Sequence, residues 1–163
     1  MEPQTEQYRK DSFVLDPKDY EILRLLQGNA KLTIREIAAQ VHLSPTPTHD
    51  RIKRLEKNGV IKQYAALLDN RKVNKGIMVI CQISLKEHNK RVGQEFIDAI
   101  MQFTEVTECY NISGDFDFML KILTESMESY HDFSVNKLSE ISCIAQTKSI
   151  FVMGTIKETH RVL

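Results

Sequence analysis

The sequence predicts an α+β fold in two parts: three short helices with a strand-like trailer, then a strand–helix–strand–strand–helix–strand unit. Three observations carry that expectation. Apolar residues recur at helical spacing up to about Gly59. From Ile77 onward they alternate at strand spacing, interrupted by two stretches with a helical period. Charge divides the same way: residues 1–75 hold 14 Lys+Arg against 10 Asp+Glu and residues 76–163 hold 8 against 12, within a neutral chain of 163 residues. Such an asymmetry suggests two modules, the first attracted to a polyanion and the second not.

Composition narrows the function classes. A 27% charged and 42% hydrophobic chain fits a folded soluble protein rather than a disordered one. The longest apolar run, Ile77 to Cys81, is too short to span a bilayer, so no membrane partner is expected. The first 30 residues lack the apolar stretch and small-residue cleavage site of a secretory signal, so a cytoplasmic location is expected. Cys81, Cys109 and Cys143 are odd in number and form no CxxC pair, which indicates neither a disulfide framework nor a metal site.

The elements follow in order. Residues 1–14 are polar and aperiodic and read as a flexible arm. Asp16-Pro17 makes an N-cap and first-turn pair, and Ile22, Leu23, Leu25 and Leu26 give the first helix its apolar face before Gly28-Asn29. Thr33 and Glu36 form a capping box, and Ile34, Ile37, Ala38 and Val41 stripe the second helix. After His42-Leu43, Ser44 caps a third helix with Pro45 at its first position. Ile52 and Leu55 face inward there, Arg51, Lys53, Arg54 and Lys57 face outward, and Gly59 ends the helix. Val60–Leu68 has the character of a strand or wing, and Asp69-Asn70 marks a turn.

In the second part, Ile77–Leu85 reads as a strand with Val79, Cys81, Ile83 and Leu85 on one face. Val92, Phe96, Ile100 and Phe103 trace a helix, Val106–Ile112 a second strand, Ser113-Gly-Asp115 a turn and Phe116–Leu123 a third strand. Met127, Tyr130, Ser134, Leu138 and Ile141 trace another helix, and Thr147–Ile156 the fourth strand. This order is the ferredoxin-like βαββαβ motif. Its sheet leaves one face uncovered, expected to carry Met78, Ile80, Met119, Phe151 and Met153 and to need a partner subunit.

A capped helix, a short turn and a basic helix opened by Ser-Pro make a helix-turn-helix argument, in which the second helix of the pair enters the major groove of double-stranded DNA. Thr46, Thr48, His49 and Asp50 would then face base edges, while Arg51, Lys53, Arg54 and Lys57 reach bases or phosphates. Ser44 and the free N–H groups at the helix start suit a phosphate. On charge spacing alone a solvated helix face is the better explanation of these cations; the capping box, the short turn and the Ser-Pro opening together reverse that preference.

At these residues the chain resembles the Lrp/AsnC (feast/famine) family of transcription regulators. The head motif is LSPTP followed by R-I-K-R-L-E and G-V-I-x-x-Y; the second half carries ECYNISGDFDFMLKI and TKSIFVM, in the family's order. The resemblance covers about residues 15–157. It implies a winged helix-turn-helix over 15–68, a hinge over 69–75, an effector-binding and oligomerisation domain over 76–157 and a tail over 158–163. It also implies a homodimer, assembling to an octamer, on a pseudo-palindromic operator, with an amino acid (leucine or another) held between subunits near the Gly-Asp turn. That role maps onto Ser113, Gly114, Asp115 and Asp117, with Met127, Leu138, Ile150, Phe151 and Val152 lining an apolar crevice. Read without the resemblance, Gly-Asp between strands is a hairpin turn, and Met127, Leu138 and Phe151 are core or interface residues. His49 and Asp50 depart from the leucine-responsive pattern, so no operator sequence carries over, and Gly154 falls at the end of the expected last strand.

Catalysis is not expected. Asp115 and Asp117 would alternate across a strand, and G-x-S-x-G, GxxxxGK, GxGxxG and HExxH are all absent. Sirohaem decarboxylases resemble the same two-domain arrangement with the DNA-reading function lost, and an amino-acid-binding module with a vestigial head is the other alternative. No cofactor is expected beyond the amino-acid effector.

Overall fold

The computed structural model describes residues 13–163, so most of the expected arm, residues 1–12, lies outside the described residues. The described residues form two compact units, 13–66 with Lys157–Leu163, and Leu67–Ile156.

In the first unit, helix α1 (Pro17–Gly28) starts on a reciprocal cap: the Asp19 amide donates to Asp16 Oδ1 at 2.9 Å and the Asp16 amide to Asp19 Oδ2 at 3.0 Å. Helix α2 (Ile34–Gln40) has the expected capping box, with the Thr33 amide donating to Glu36 Oε2 at 2.7 Å and the Glu36 amide to Thr33 Oγ1 at 3.3 Å. The Thr33 amide and the Thr33 hydroxyl, which donates to the same oxygen at 2.8 Å, hold the Glu36 carboxyl below its ordinary value. His42 takes a left-handed conformation, φ 55°, and Leu43 N donates back to Ala38 O at 2.9 Å, turning the chain into the next helix. Helix α3 (Pro45–Lys57) ends on Gly59, φ 69°, with Gly59 N bonded to Glu56 O and Val60 N to Leu55 O, each at 3.0 Å. That pair of bonds is a Schellman closure, which glycine accepts without Cβ strain. Ile22, Leu23, Ile37, Val41, Ile52 and Leu55 make the buried core of the three helices.

Of the strand or wing expected over Val60–Leu68, no strand forms. Val60–Leu68 is irregular, with Ile61 packed against the helical core and Leu67 and Leu68 largely exposed. The chain's last residues return to this unit. Gln27 Oε1 accepts from Val162 N at 3.3 Å and Leu163 N at 3.1 Å, and a Cβ on Gly28 would stand 3.6 Å from the Arg161 guanidinium.

The second unit opens on a single 3-10 turn, Asn70–Val73, inside the segment expected as a hinge. Strands β1 (Ile77–Leu85), β2 (Val106–Asn111), β3 (Phe118–Thr124) and β4 (Ile144–Phe151) form one antiparallel sheet in the order β2-β3-β1-β4. Helices α4 (Lys90–Ile100) and α5 (Met127–Phe133) lie between β1 and β2 and between β3 and β4 in the chain, and α5 runs into one π-helical turn, Ser134–Leu138. This is the ferredoxin-like topology that the element order predicts. Val79, Cys81 and Ile83 of β1 and Leu120 and Ile122 of β3 pack with Phe96, Phe133 and Leu138 in the core.

Register corrects one assignment. Residues directly paired across an antiparallel ladder point to the same face. Val79, a core residue, pairs with Phe151, and Ile80 pairs with Ile150. Phe151 therefore lies on the helix-covered side, edge-on to Tyr130 with ring centroids 5.1 Å apart, and not on the open face. Strand β4 begins three residues earlier than expected and stops at Phe151, so Met153 and Gly154 fall beyond it. The open face carries Met78, Ile80, Met119 and Ile150. Among the described residues no helix is long and apolar enough to cross a membrane, and no group of three or more His, Cys, Asp or Glu could hold a metal.

Candidate DNA-binding and effector sites

Helix α3 presents two faces of different composition. Thr48, Ile52 and Leu55 are buried, while Ser44, Thr46, His49, Asp50, Lys53, Arg54 and Lys57 are exposed. Thr48 was expected at base edges and is instead fully enclosed, its hydroxyl donating to Ser44 O at 3.0 Å. Its spacing from Ile52 and Leu55, i, i+4 and i+7, puts it on the core stripe. Ser44 starts the helix by its backbone conformation, but its hydroxyl makes no cap bond.

The second correction concerns Arg51 and Arg54, expected to reach DNA. Both turn toward the start of α1. Asp19, with no exposed surface, accepts from Arg51 Nη1 at 2.8 Å through Oδ1 and from Arg54 Nη2 at 2.6 Å through Oδ2. Asp16 Oδ2 also accepts from Arg51 Nη1, and the Arg54 guanidinium stands 5.1 Å over the Phe13 ring. The hydrogen bond from Arg51, with that from the Asp19 amide, holds the Asp16 carboxyl below its ordinary value. The bonds to Asp16 and Asp19 raise Arg51. From sequence Asp16 reads only as a helix cap and Asp19 carries no signal, because the pairing spans 32 and 35 residues of sequence.

Lys53 Nζ bonds Glu56 Oε2 at 2.9 Å within the same helix, and Tyr64 donates to the other Glu56 oxygen at 3.0 Å, tying the irregular segment to α3. Burial, reinforced by that bond to Glu56, pushes the Tyr64 phenol up to about 12. Lys57 completes the outward cations, and His49 Nδ1 stands 3.6 Å from Asp50 Oδ1.

In the second unit the Gly-Asp turn divides its two carboxylates by role. Asp117 anchors the fold: Oδ2 accepts from Leu85 N at 2.8 Å, Oδ1 faces His88 Nδ1 at 2.9 Å, and its amide donates to Ile83 O at 2.8 Å. Both oxygens of that carboxylate are engaged within the chain, which leaves Asp115 as the outward carboxylate of the pair. Asp115 is exposed beside exposed Ser113 and Gly114, the last at φ 118°, and only the Asp115 carbonyl is engaged, accepting from Ser84 Oγ at 3.2 Å. The expected apolar crevice does not converge within one subunit. Leu138 is core, Met127 is exposed on α5, Ile150 and Phe151 lie on opposite faces of the sheet, and Val152 donates its amide to Met78 O at 3.0 Å.

The comparisons agree with both halves. A family model described as winged helix-turn-helix DNA-binding matches residues 15–62, and one described as the Lrp/AsnC ligand binding domain matches residues 78–162. The chain is 37% identical to the leucine-responsive regulatory protein of Haemophilus influenzae, over 93% of this chain and 92% of that one. It is 33% identical to the transcriptional regulator AzlB of Bacillus subtilis, over 91% and 95% of the respective chains. A transcriptional regulator of Neisseria meningitidis, solved as an L-Met complex, superposes with a TM-score of 0.86 at 33% identity, covering 90% of this chain and 95% of that one. An AsnC family regulator of Agrobacterium tumefaciens gives 0.87 at 34% identity, covering 91% and 97%. A capped tri-helical head, a βαββαβ domain and relatives aligned along nearly their whole length lead to one assignment: the chain belongs to the Lrp/AsnC family of DNA-binding transcriptional regulators.

Proposed function

We propose that this regulator reads a pseudo-palindromic operator as a homodimer able to assemble to an octamer in the cytoplasm, and that an amino acid bound between subunits alters its hold on DNA. The observation that carries the reading is the outward face of α3, where Thr46, His49, Asp50, Lys53 and Lys57 stand exposed on a helix seated against a capped partner. Two such helices about 34 Å apart would enter successive major grooves of one duplex face. The Met78, Ile80, Met119 and Ile150 face supports association through the sheet domain. The effector reading rests on Asp115, free to pair an α-ammonium, beside turn amides suited to a carboxylate. A ligand there shifts DNA affinity only through unequal affinity for the alternative assemblies.

The test is fluorescence anisotropy on a genomic promoter duplex with a Lys53→Ala/Lys57→Ala variant. Binding weakens at low salt, and the salt slope falls by about 0.9 for each ion pair to phosphate that the variant no longer makes. An unchanged slope in a folded variant overturns the α3 reading. For the effector, melting shifts with L-leucine and L-methionine are measured on wild type and Asp115→Ala, and a shift that survives the substitution moves the site away from this turn.

A further inference from the structure

Arg51 and Arg54 lie on the helix that meets DNA, yet their guanidinium groups are held by carboxylates of their own chain. Asp19 is wholly buried and accepts three bonds, from the Asp16 amide, Arg51 and Arg54, while Asp16 takes a further bond from Arg51. The arginines themselves are near the surface, with side chains 27% and 44% exposed. Loss of the aspartate charges, without unfolding, would therefore leave two cations at the rim of the recognition helix.

We propose that Asp16 and Asp19 are specificity-determining residues: they withhold Arg51 and Arg54 from the phosphate backbone and so hold down sequence-independent affinity. Attraction to phosphates grows with every cation that displaces a condensed counterion, whatever the base sequence. A guanidinium already neutralised by its own chain adds nothing to that sum. Discrimination then rests on Thr46, His49 and Asp50, with Lys57 as the remaining unpaired outward cation of α3 among those named and Lys53 held only by an exposed, solvent-screened pair to Glu56. A purely structural clamp fixes the angle of α3 equally well, but it predicts no added pairing with phosphate when its charge is removed.

The experiment removes charge and keeps shape. Asparagine serves as an N-cap as well as aspartate does, so Asp16→Asn/Asp19→Asn preserves the helix start. Anisotropy titrations use a mixed-sequence 30-bp duplex across potassium chloride from about 50 to 200 mM, the range over which phosphate pairing separates most clearly. The double variant steepens the slope of log affinity against log salt by about 1.8, and binds on the order of tenfold tighter at the low-salt end. Circular dichroism melts confirm that each protein assayed is folded. If the double variant melts below the assay temperature, Asp19→Asn alone, which frees Arg54 while Asp16 still holds Arg51, carries the test at a lower temperature with a steepening of about 0.9. An unchanged slope in a folded variant overturns the proposal. So does Arg51→Gln in a folded protein if it lowers the slope by about 0.9, because that arginine was then already on a phosphate.

Discussion

The head and the sheet domain hold their working surfaces by different means. In the sheet domain, fifteen buried side chains of a described cluster lock two helices onto four strands, and the Gly-Asp turn needs little beyond the Asp117 anchor to Leu85. In the head, the corresponding cluster has six, and α3 is seated by charge as well: Asp16 and Asp19 reach across from α1 to Arg51 and Arg54. A small core exposes more of its boundary and has less apolar area to give, so directional bonds take a larger share of fixing geometry. The general lesson is that charged residues on one helix divide between those left outward in solvent and those that position the helix.

The largest break in that comparison is expected in the apolar half. Phe96 is fully enclosed and packs on Phe118 with centroids 4.6 Å apart, so Phe96→Ala should cost about 3–5 kcal/mol. Urea unfolding followed by hydrogen exchange should place that loss in the sheet domain while exchange in α1–α3 stays as in wild type. Next is Asp19→Ala, which leaves two guanidinium groups and the Asp16 amide without their shared acceptor. About 2–3 kcal/mol is expected, below the full cost of a broken buried pair because the arginines retain solvent. Exchange should then rise in the head and not in the sheet.

The smallest effect is on acidification, and its sign follows from the carboxyls. In the head, Asp16 and Glu36 sit below their ordinary values of 3.8 and 4.5, Asp16 mainly through the Arg51 bond and Glu36 through its bonds from Thr33. Their stabilisation is complete above those values and disappears as pH falls through the lower folded-state values, since unfolding then takes up protons. In the sheet domain, burial is the strongest influence on Glu105 and raises it, but the Lys137 bond, a backbone amide bond and the charges of Lys137 and Lys75 together outweigh burial, and the net shift is again downward. Melting followed separately in each unit should show both weakening below about pH 4, the head by more.

How much of this was legible in the sequence depends on the range of the contact. The Thr33–Glu36 box, the Asp16 cap and the β1 alternation rest on neighbours within four residues and appear as read. Thr48 was also readable, because its i+4 and i+7 partners are Ile52 and Leu55, and helical spacing decides its face against the polarity of its hydroxyl. The Phe151 error is one of register: placing a strand one residue out exchanges its faces, and nothing local to residues 147–156 fixes that choice. The partners of Arg51, Arg54 and Asp117 lie about thirty residues away, beyond any periodic signal. Within the candidate effector site, the turn was legible, but the division of labour between Asp115 and Asp117 was not.

The return of residues 157–163 to the end of α1 has a consequence for dissection. The ligand-domain match runs to residue 162, yet Gln27 engages the backbone of His160, Val162 and Leu163, and no basic residue of α1's own last turn offsets its terminal carbonyls while Arg161 lies nearby. The head as a compact unit is thus discontinuous in sequence. A fragment excised at Ala66 would lose these contacts at Gln27 while keeping every residue of the buried helical core.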